Sequence, residues 1–323
     1  FKMAEDACQR ALTLDRRAPS VYVALGNLYL ASGQVEQAVN EFNTAIALKP
    51  KFVEAYLGLG DAYLAQGQLT LAEETYRTAL NSQSDNWLAQ TKLGNFYFLT
   101  GQPNKAIPYY HRIAELMPDN TRVLSNLGAA YFVDGQFQLA VDTWERGLSI
   151  NPTGLTYANV ATGLFLLKRY EEAVPLYHKA VEQAPEDYQL WGNLGDVYRH
   201  LPESREMSGP MYRNAIKLAE NRLAVNASDA NTHGLVGHYQ AALGEREKAL
   251  ASINRALELA PDDVYVNFSA ATAYVSLGEM ELAMAALEKA LDNGFPMHMA
   301  VADANLEQLK ELPRFEAAMA RRE

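Results

Sequence analysis

Three asparagines, Asn126, Asn159 and Asn193, recur at steps of 33 and 34 residues, and three phenylalanines, Phe98, Phe132 and Phe165, recur at steps of 34 and 33. A carboxamide offers one acceptor and two donors, so it can hold a peptide group through two hydrogen bonds whatever side chain that group carries. Repeated at a fixed interval, carboxamides would grip an extended backbone, and the phenylalanines would offer apolar pockets to alternate side chains. Asn95 and Asp196 stand at the two edges of this run.

Other chemistry finds little support. The chain has no GxxxxGK[ST] loop, no GxGxxG in a strand-to-helix setting, no GxSxG, no His-Arg-Asp and no Asp-Phe-Gly. His233 and His238 are the closest histidines, but a spacing of five puts them on different helix faces, where spacing four would share one. No metal or cofactor is expected. Cys8 falls where other repeats carry an aromatic residue and reads as a small core side chain rather than a nucleophile. The pairs Glu73-Glu74 and Glu171-Glu172 open predicted helices, where carboxylates meet the positive helix end. Asn226-Ala-Ser and Asn267-Phe-Ser fit a glycosylation triplet, a motif short enough to arise by accident.

Composition narrows the classes further. The chain has 323 residues, 49% hydrophobic, with 28 Lys and Arg against 39 Asp and Glu, a net charge of -11. Duplex binding rests on many cationic phosphate contacts, so this balance argues against nucleic acid. It also disfavours an anionic membrane surface. No apolar run approaches the length of a spanning helix, so no membrane insertion is expected within these residues. The single cysteine excludes an internal disulfide and a Cys-based zinc site. It leaves the compartment open, with the cytoplasm preferred.

The elements that must position the asparagines are themselves periodic. Gly26, Gly60, Gly94 and Gly128 are each 34 residues apart, as are Gly33, Gly67, Gly101 and Gly135. Ala38, Ala72, Ala106 and Ala140 keep the same step, as do Tyr29, Tyr63, Tyr97 and Tyr131 and the aromatic series Phe42, Tyr76, Tyr110 and Trp144. Val21, Leu25, Leu28 and Tyr29 share one helical face, and Val35, Ala38, Val39, Phe42, Ala45 and Ile46 form the stripe of a second helix. Gly33 lies between them, where a tight turn needs positive φ. Neither helix could bury its stripe alone, so the units must stack.

These residues resemble the tetratricopeptide repeat family, whose pattern unit two shows as Tyr56, Leu59-Gly60, Tyr63, Gly67, Ala72, Tyr76 and Ala79. The resemblance implies an all-α fold, a right-handed superhelical solenoid of helix-turn-helix repeats. Units are placed at 19–52, 53–86, 87–120, 121–153, 154–187, 188–229, 230–263 and 264–297. Residues 1–18 match a second helix without its first, which predicts further chain upstream. Residues 298–323 read as a C-terminal cap, a helix that covers the last repeat through Leu306, Leu309, Leu312 and Phe315.

Several units depart from the pattern. Unit five has Ala161 and Lys168 where glycine is expected, and Pro108 and Pro175 sit inside second helices. Unit six has 42 residues, with a turn lengthened by one around 201–204 and a second helix from about Met211 to Val225. The close of the chain and this long unit are similar to repeat arrays of bacterial multidomain Ser/Thr kinases, adenylate cyclases and winged-helix regulators.

In this family the first helix of each unit lines a concave groove, at positions that include 6, 9 and 12. Asn126, Asn159 and Asn193 are at position 6, Asn95 and Asp196 at position 9, and Phe98, Phe132 and Phe165 at position 12. The expected site is therefore an extended-peptide groove over units three to six, similar to the asparagine ladder of O-GlcNAc transferases. Asparagine before Leu-Gly is also a common choice in these repeats, and the phenylalanines could instead pack on the neighbouring unit. A carboxylate clamp would need cations that units three to five lack. The function expected is a non-catalytic scaffold for a protein or extended peptide. The alternatives are a docking arm of a bacterial signalling kinase and a self-association module.

Overall fold

The computed structural model describes residues 2–321, which form two compact units, one ending at Pro118 and one starting at Asp119. The first contains α1 (Lys2–Leu14), α2 (Pro19–Ala31), α3 (Val35–Leu48), α4 (Val53–Ala65), α5 (Leu69–Ser82), α6 (Trp87–Leu99) and α7 (Pro103–Leu116). The second opens with α8 (Thr121–Val133), α9 (Phe137–Ile150), α10 (Gly154–Leu166), α11 (Tyr170–Gln183) and α12 (Tyr188–Arg199). After a 3-10 helix, Pro202–Met207, follow α13 (Ser208–Val225), α14 (Ala230–Ala242), α15 (Arg246–Leu259), α16 (Val264–Ser276) and α17 (Met280–Asp292). It closes with α18 (Met297–Ala302), a 3-10 helix, Ala304–Glu311, and α19 (Pro313–Ala320).

Both units are stacks of antiparallel helix pairs, and two local devices explain the pairing. The first is the turn. Gly135 has φ 81°, and the N–H of Gln136 reaches back to the Tyr131 carbonyl at 2.8 Å, which closes the helix end in the left-handed conformation that glycine adopts without strain. In unit five the same bond runs from Arg169 to Leu164 at 2.9 Å, and Lys168 is forced to φ 58°. Among the described residues it is the only non-glycine with positive φ. The second device is close approach. In units one to four and six an aromatic ring of the second helix lies on a glycine of the first, and a Cβ on Gly195 would stand 2.6 Å from Cε1 of Tyr212. Phe42 on Gly26, Tyr76 on Gly60 and Trp144 on Gly128 repeat the arrangement. Ala38, Ala72, Ala106 and Ala140 are fully buried, so the two backbones approach across them as well.

α7 and α11 run through Pro108 and Pro175 without interruption. Two expectations are corrected. The lengthened turn of unit six is a 3-10 helix of six residues, and the helix after it starts at Ser208, three residues before Met211. The C-terminal cap is three short segments instead of one helix, because Asp303 and Leu312 are extended (ψ 122° and 132°), the latter restricted by Pro313. Leu306, Leu309 and Phe315 are buried against α16 and α17, but the cap does more than cover the last repeat. Within the second unit it reaches back to the turns that end α8, α10 and α12. The His298 ring lies 2.9 Å from the Val133 carbonyl through Nε2, Lys168 pairs with Glu307 at 3.2 Å, and His200 Nε2 is 3.1 Å from Asn305 Oδ1.

Candidate functional site

The predicted site residues divide between the two units: Asn95 and Phe98 belong to the first, and Asn126, Phe132, Asn159, Phe165 and Asn193 to the second. Asn126, Asn159 and Asn193 occupy the same register on α8, α10 and α12, and all three are half-buried. Their hydrogen bonding differs. Asn193 lies beside the buried hydroxyl of Tyr177, whose hydrogen-bond partner is Thr162. Among the described residues, no side-chain hydrogen bond occupies the carboxamides of Asn126 or Asn159. These two keep donors and acceptor available, as backbone recognition requires.

The flanking position 9 residues, expected at the edges of the peptide site, have a structural task in the fold. Asn95 Oδ1 accepts the hydroxyl proton of Tyr110 at 2.7 Å, and Asp196 Oδ1 accepts that of Tyr212 at 2.7 Å. Asp61 does the same for Tyr76 at 2.6 Å, and the Thr162 hydroxyl meets that of Tyr177 at 2.8 Å. Each of these partners is the aromatic that lies on the repeat's glycine or alanine. A buried phenol needs a partner for its O–H, and position 9 of the first helix supplies it. Unit four carries Trp144 there instead, and its Nε1 donates to the Ser125 carbonyl at 3.2 Å, so Ala129 at position 9 suffices.

Asp196 is further committed, because His238 Nε2 approaches the same oxygen at 2.9 Å. Burial alone would raise the Asp196 carboxyl. The charge and hydrogen bond of His238, the Tyr212 hydroxyl and Arg199 outweigh it and hold the group below the usual carboxylate range. Arg199 Nη1 donates to Ser276 Oγ at 2.9 Å, which ties α12 to α16. Two side-chain hydrogen bonds thus link the first helices of units six to eight. The periodicity held a signal for this link: His238 has the register of Asp196, one unit on.

The phenylalanines also diverge. Phe165 is only 8% exposed, packed against Tyr170 and His200 with ring centroids at 5.7 and 5.8 Å, so it is core and forms no pocket for a ligand. Phe132 is half-buried, edge-on to Phe137 and tilted on Trp144 at 5.4 and 5.5 Å. Phe98 is half-buried on α6. In the second unit Asn126 and Asn159 thus share a register on α8 and α10, and Phe132 lies at the end of α8.

Stacked helical hairpins of this kind, most of them closed by a left-handed turn and by a large side chain on a small residue, define an α-helical repeat scaffold. Family models for the tetratricopeptide repeat match residues 53–86, 165–204 and 237–294, and a TPR repeat model matches 26–67. These matched segments are tetratricopeptide repeats. Among solved structures, a chain of the APC/C Cut9–Hcn1 hetero-tetramer is similar over 87% of this chain and 51% of its own, with TM-score 0.56 and 18% identity. PilF of Pseudomonas aeruginosa is similar over 62% of this chain and 91% of its own (TM-score 0.51, 23% identity), and MamA over 54% and 94% (0.50, 22%). These likenesses establish the fold alone. Comparison with curated proteins finds no match. Among the described residues, no helix is long and apolar enough to cross a membrane.

Proposed function

We propose that the chain is a non-catalytic protein-interaction scaffold that holds an extended peptide against α8 and α10 through Asn126 and Asn159. The observation that carries this reading is the contrast between these two carboxamides and their neighbours. Asn95 and Asp196 accept from tyrosine hydroxyls of their own repeat, whereas among the described residues no side-chain hydrogen bond reaches Asn126 or Asn159. A half-buried amide that the fold does not use is an economical way to bind peptide groups, because part of its desolvation is complete before a ligand arrives. Phe132, at the end of α8, adds an apolar surface for one side chain.

Selection of peptides from a displayed random library tests this reading. Peptides selected by the wild-type chain should lose about tenfold or more in affinity for an Asn126→Ala, Asn159→Ala variant of unchanged helicity, since two amide contacts of about 1 kcal/mol each are removed. Equal affinity for both proteins would refute it.

A further inference from the structure

Four departures from the repeat pattern converge on one cavity. Position 12 is Leu30, Leu64, Phe98, Phe132 and Phe165 in the first five units and becomes Arg199 in the sixth. The turn glycine of unit five is replaced by Lys168, held at φ 58°. The 3-10 insertion of unit six carries Arg205. The C-terminal segment, by folding back, adds Asn305 and Gln308. Together with His200 these residues line a cavity of about 350 Å³ within the second unit, open to solvent on one side. No residue of the asparagine row takes part in it.

The charge of this cavity is opposite to that of the chain. Glu307 is its one carboxylate, and it is already shared between Lys168 at 3.2 Å and Lys310 at 2.6 Å. Neither Arg199 nor Arg205 forms an ion pair among the described residues. Asp196, three residues before Arg199 on α12, feels the Arg199 charge but spends its hydrogen bonds on His238 and Tyr212. Arg199 spends one N–H on the neutral Ser276 hydroxyl, which fixes its guanidinium without neutralising it. Lys168, Arg199 and Arg205 stand against Glu307 alone, so the cavity lining carries an excess of two positive charges in a protein of net charge -11.

We propose that this cavity binds a doubly charged phosphoryl group. Arginine forks match phosphate oxygens bidentately, and a dianion balances two cations where a single carboxylate would leave one over. The neutral donors fit as well: the Asn305 and Gln308 amides can reach oxygens that the arginines leave free. The volume exceeds that of bare phosphate and admits a phosphorylated side chain or a small phosphate ester, at the lower end of ligand-pocket sizes. Its lining is mainly polar, which leaves little surface for a large apolar ligand.

Calorimetric titration of the full chain with pyrophosphate, O-phosphoserine and a phosphoserine hexapeptide tests the site, with acetate as the control anion. Saturable binding to the phosphoryl probes is expected, about tenfold weaker in Arg205→Ala and lost in Arg205→Glu, while acetate gives none. Arg205 is exposed on the 3-10 segment, so both variants should keep the wild-type circular dichroism. A hexapeptide that binds tenfold tighter than free phosphoserine would assign the ligand to a phosphoprotein, and equal affinities would assign it to a small phosphate ester. Absence of saturable binding to all three probes, or equal binding by wild type and Arg205→Glu, would overturn the proposal.

Discussion

Asp303 offers a test of how the C-terminal segment is held. It follows α18, its side chain caps the 3-10 helix Ala304–Glu311 by accepting the N–H of Asn305 at 2.8 Å, and it is 8% exposed. Burial, against the opposing hydrogen bond from Asn305 and with the Asp196 charge adding to it, pushes the carboxyl from its ordinary 3.8 up to about 6. The folded chain therefore keeps a proton that the unfolded chain releases. The stability this proton gives is full below 3.8 and is lost as pH rises through about 6, so the ionised carboxylate is a liability at neutral pH. At 1.36 kcal/mol per pH unit, the difference between the two values comes to about 3 kcal/mol at pH 8 and about half of that at pH 5. Asn at this position keeps the acceptor for Asn305 and never ionises. Its extra N–H₂ donor, if left unpaired, costs about 1 kcal/mol or more, so Asp303→Asn should gain about 1–2 kcal/mol at pH 8. The gain should be smaller at pH 5. Urea unfolding of both proteins at the two pH values measures it. A variant no more stable than wild type at pH 8, or one with the same difference at both pH values, would show that Asp303 is not a buried group held partly protonated.

Three further outcomes follow from the packing. Asp196→Ala removes the acceptor shared by His238 and Tyr212, and should lower stability by about 3–5 kcal/mol, read from the chemical denaturation midpoint. Lys168→Gly relieves the left-handed backbone and surrenders only an exposed ion pair to Glu307, so it should raise stability by about 0.5–1 kcal/mol while weakening pyrophosphate binding. A thermal melt beside the calorimetric titration separates these two effects. Ala140→Trp overfills a fully buried contact between α8 and α9 and should cost about 1–3 kcal/mol or more, and an unchanged melting curve would mean that Ala140 is not at that contact.

The repeating fold was legible because it is written locally. A glycine in the turn, a glycine facing an aromatic and a fully buried alanine act over one helix pair, so each leaves its mark at a fixed spacing: Gly128, Gly135, Ala140 and Trp144 can be read without knowing what the rest of the chain does. The site was only partly legible. Asn126 and Asn95 are both first-helix asparagines, at positions 6 and 9, yet among the described residues Asn95 meets a tyrosine hydroxyl and no side-chain hydrogen bond reaches Asn126. The difference depends on an aromatic fifteen residues away and on the register that brings it over the helix. Phe132 and Phe165 share a position, and one is core because the His200 ring and Tyr170 close over it.

What the sequence by itself determined is the helix pair, its turn and the two faces that must be buried, because hydrogen bonding within a helix and contact between adjacent helices reach no further than one repeat. What only the tertiary structure decided is the fate of the departures. Lys168, Arg199, Arg205 and Asn305 are separated by up to 137 residues and share no spacing, and they meet because the segment after α18 folds back over the turns of units five and six. Residues brought together by chain closure are set by packing between non-neighbouring repeats, and such packing leaves no period in the sequence to read.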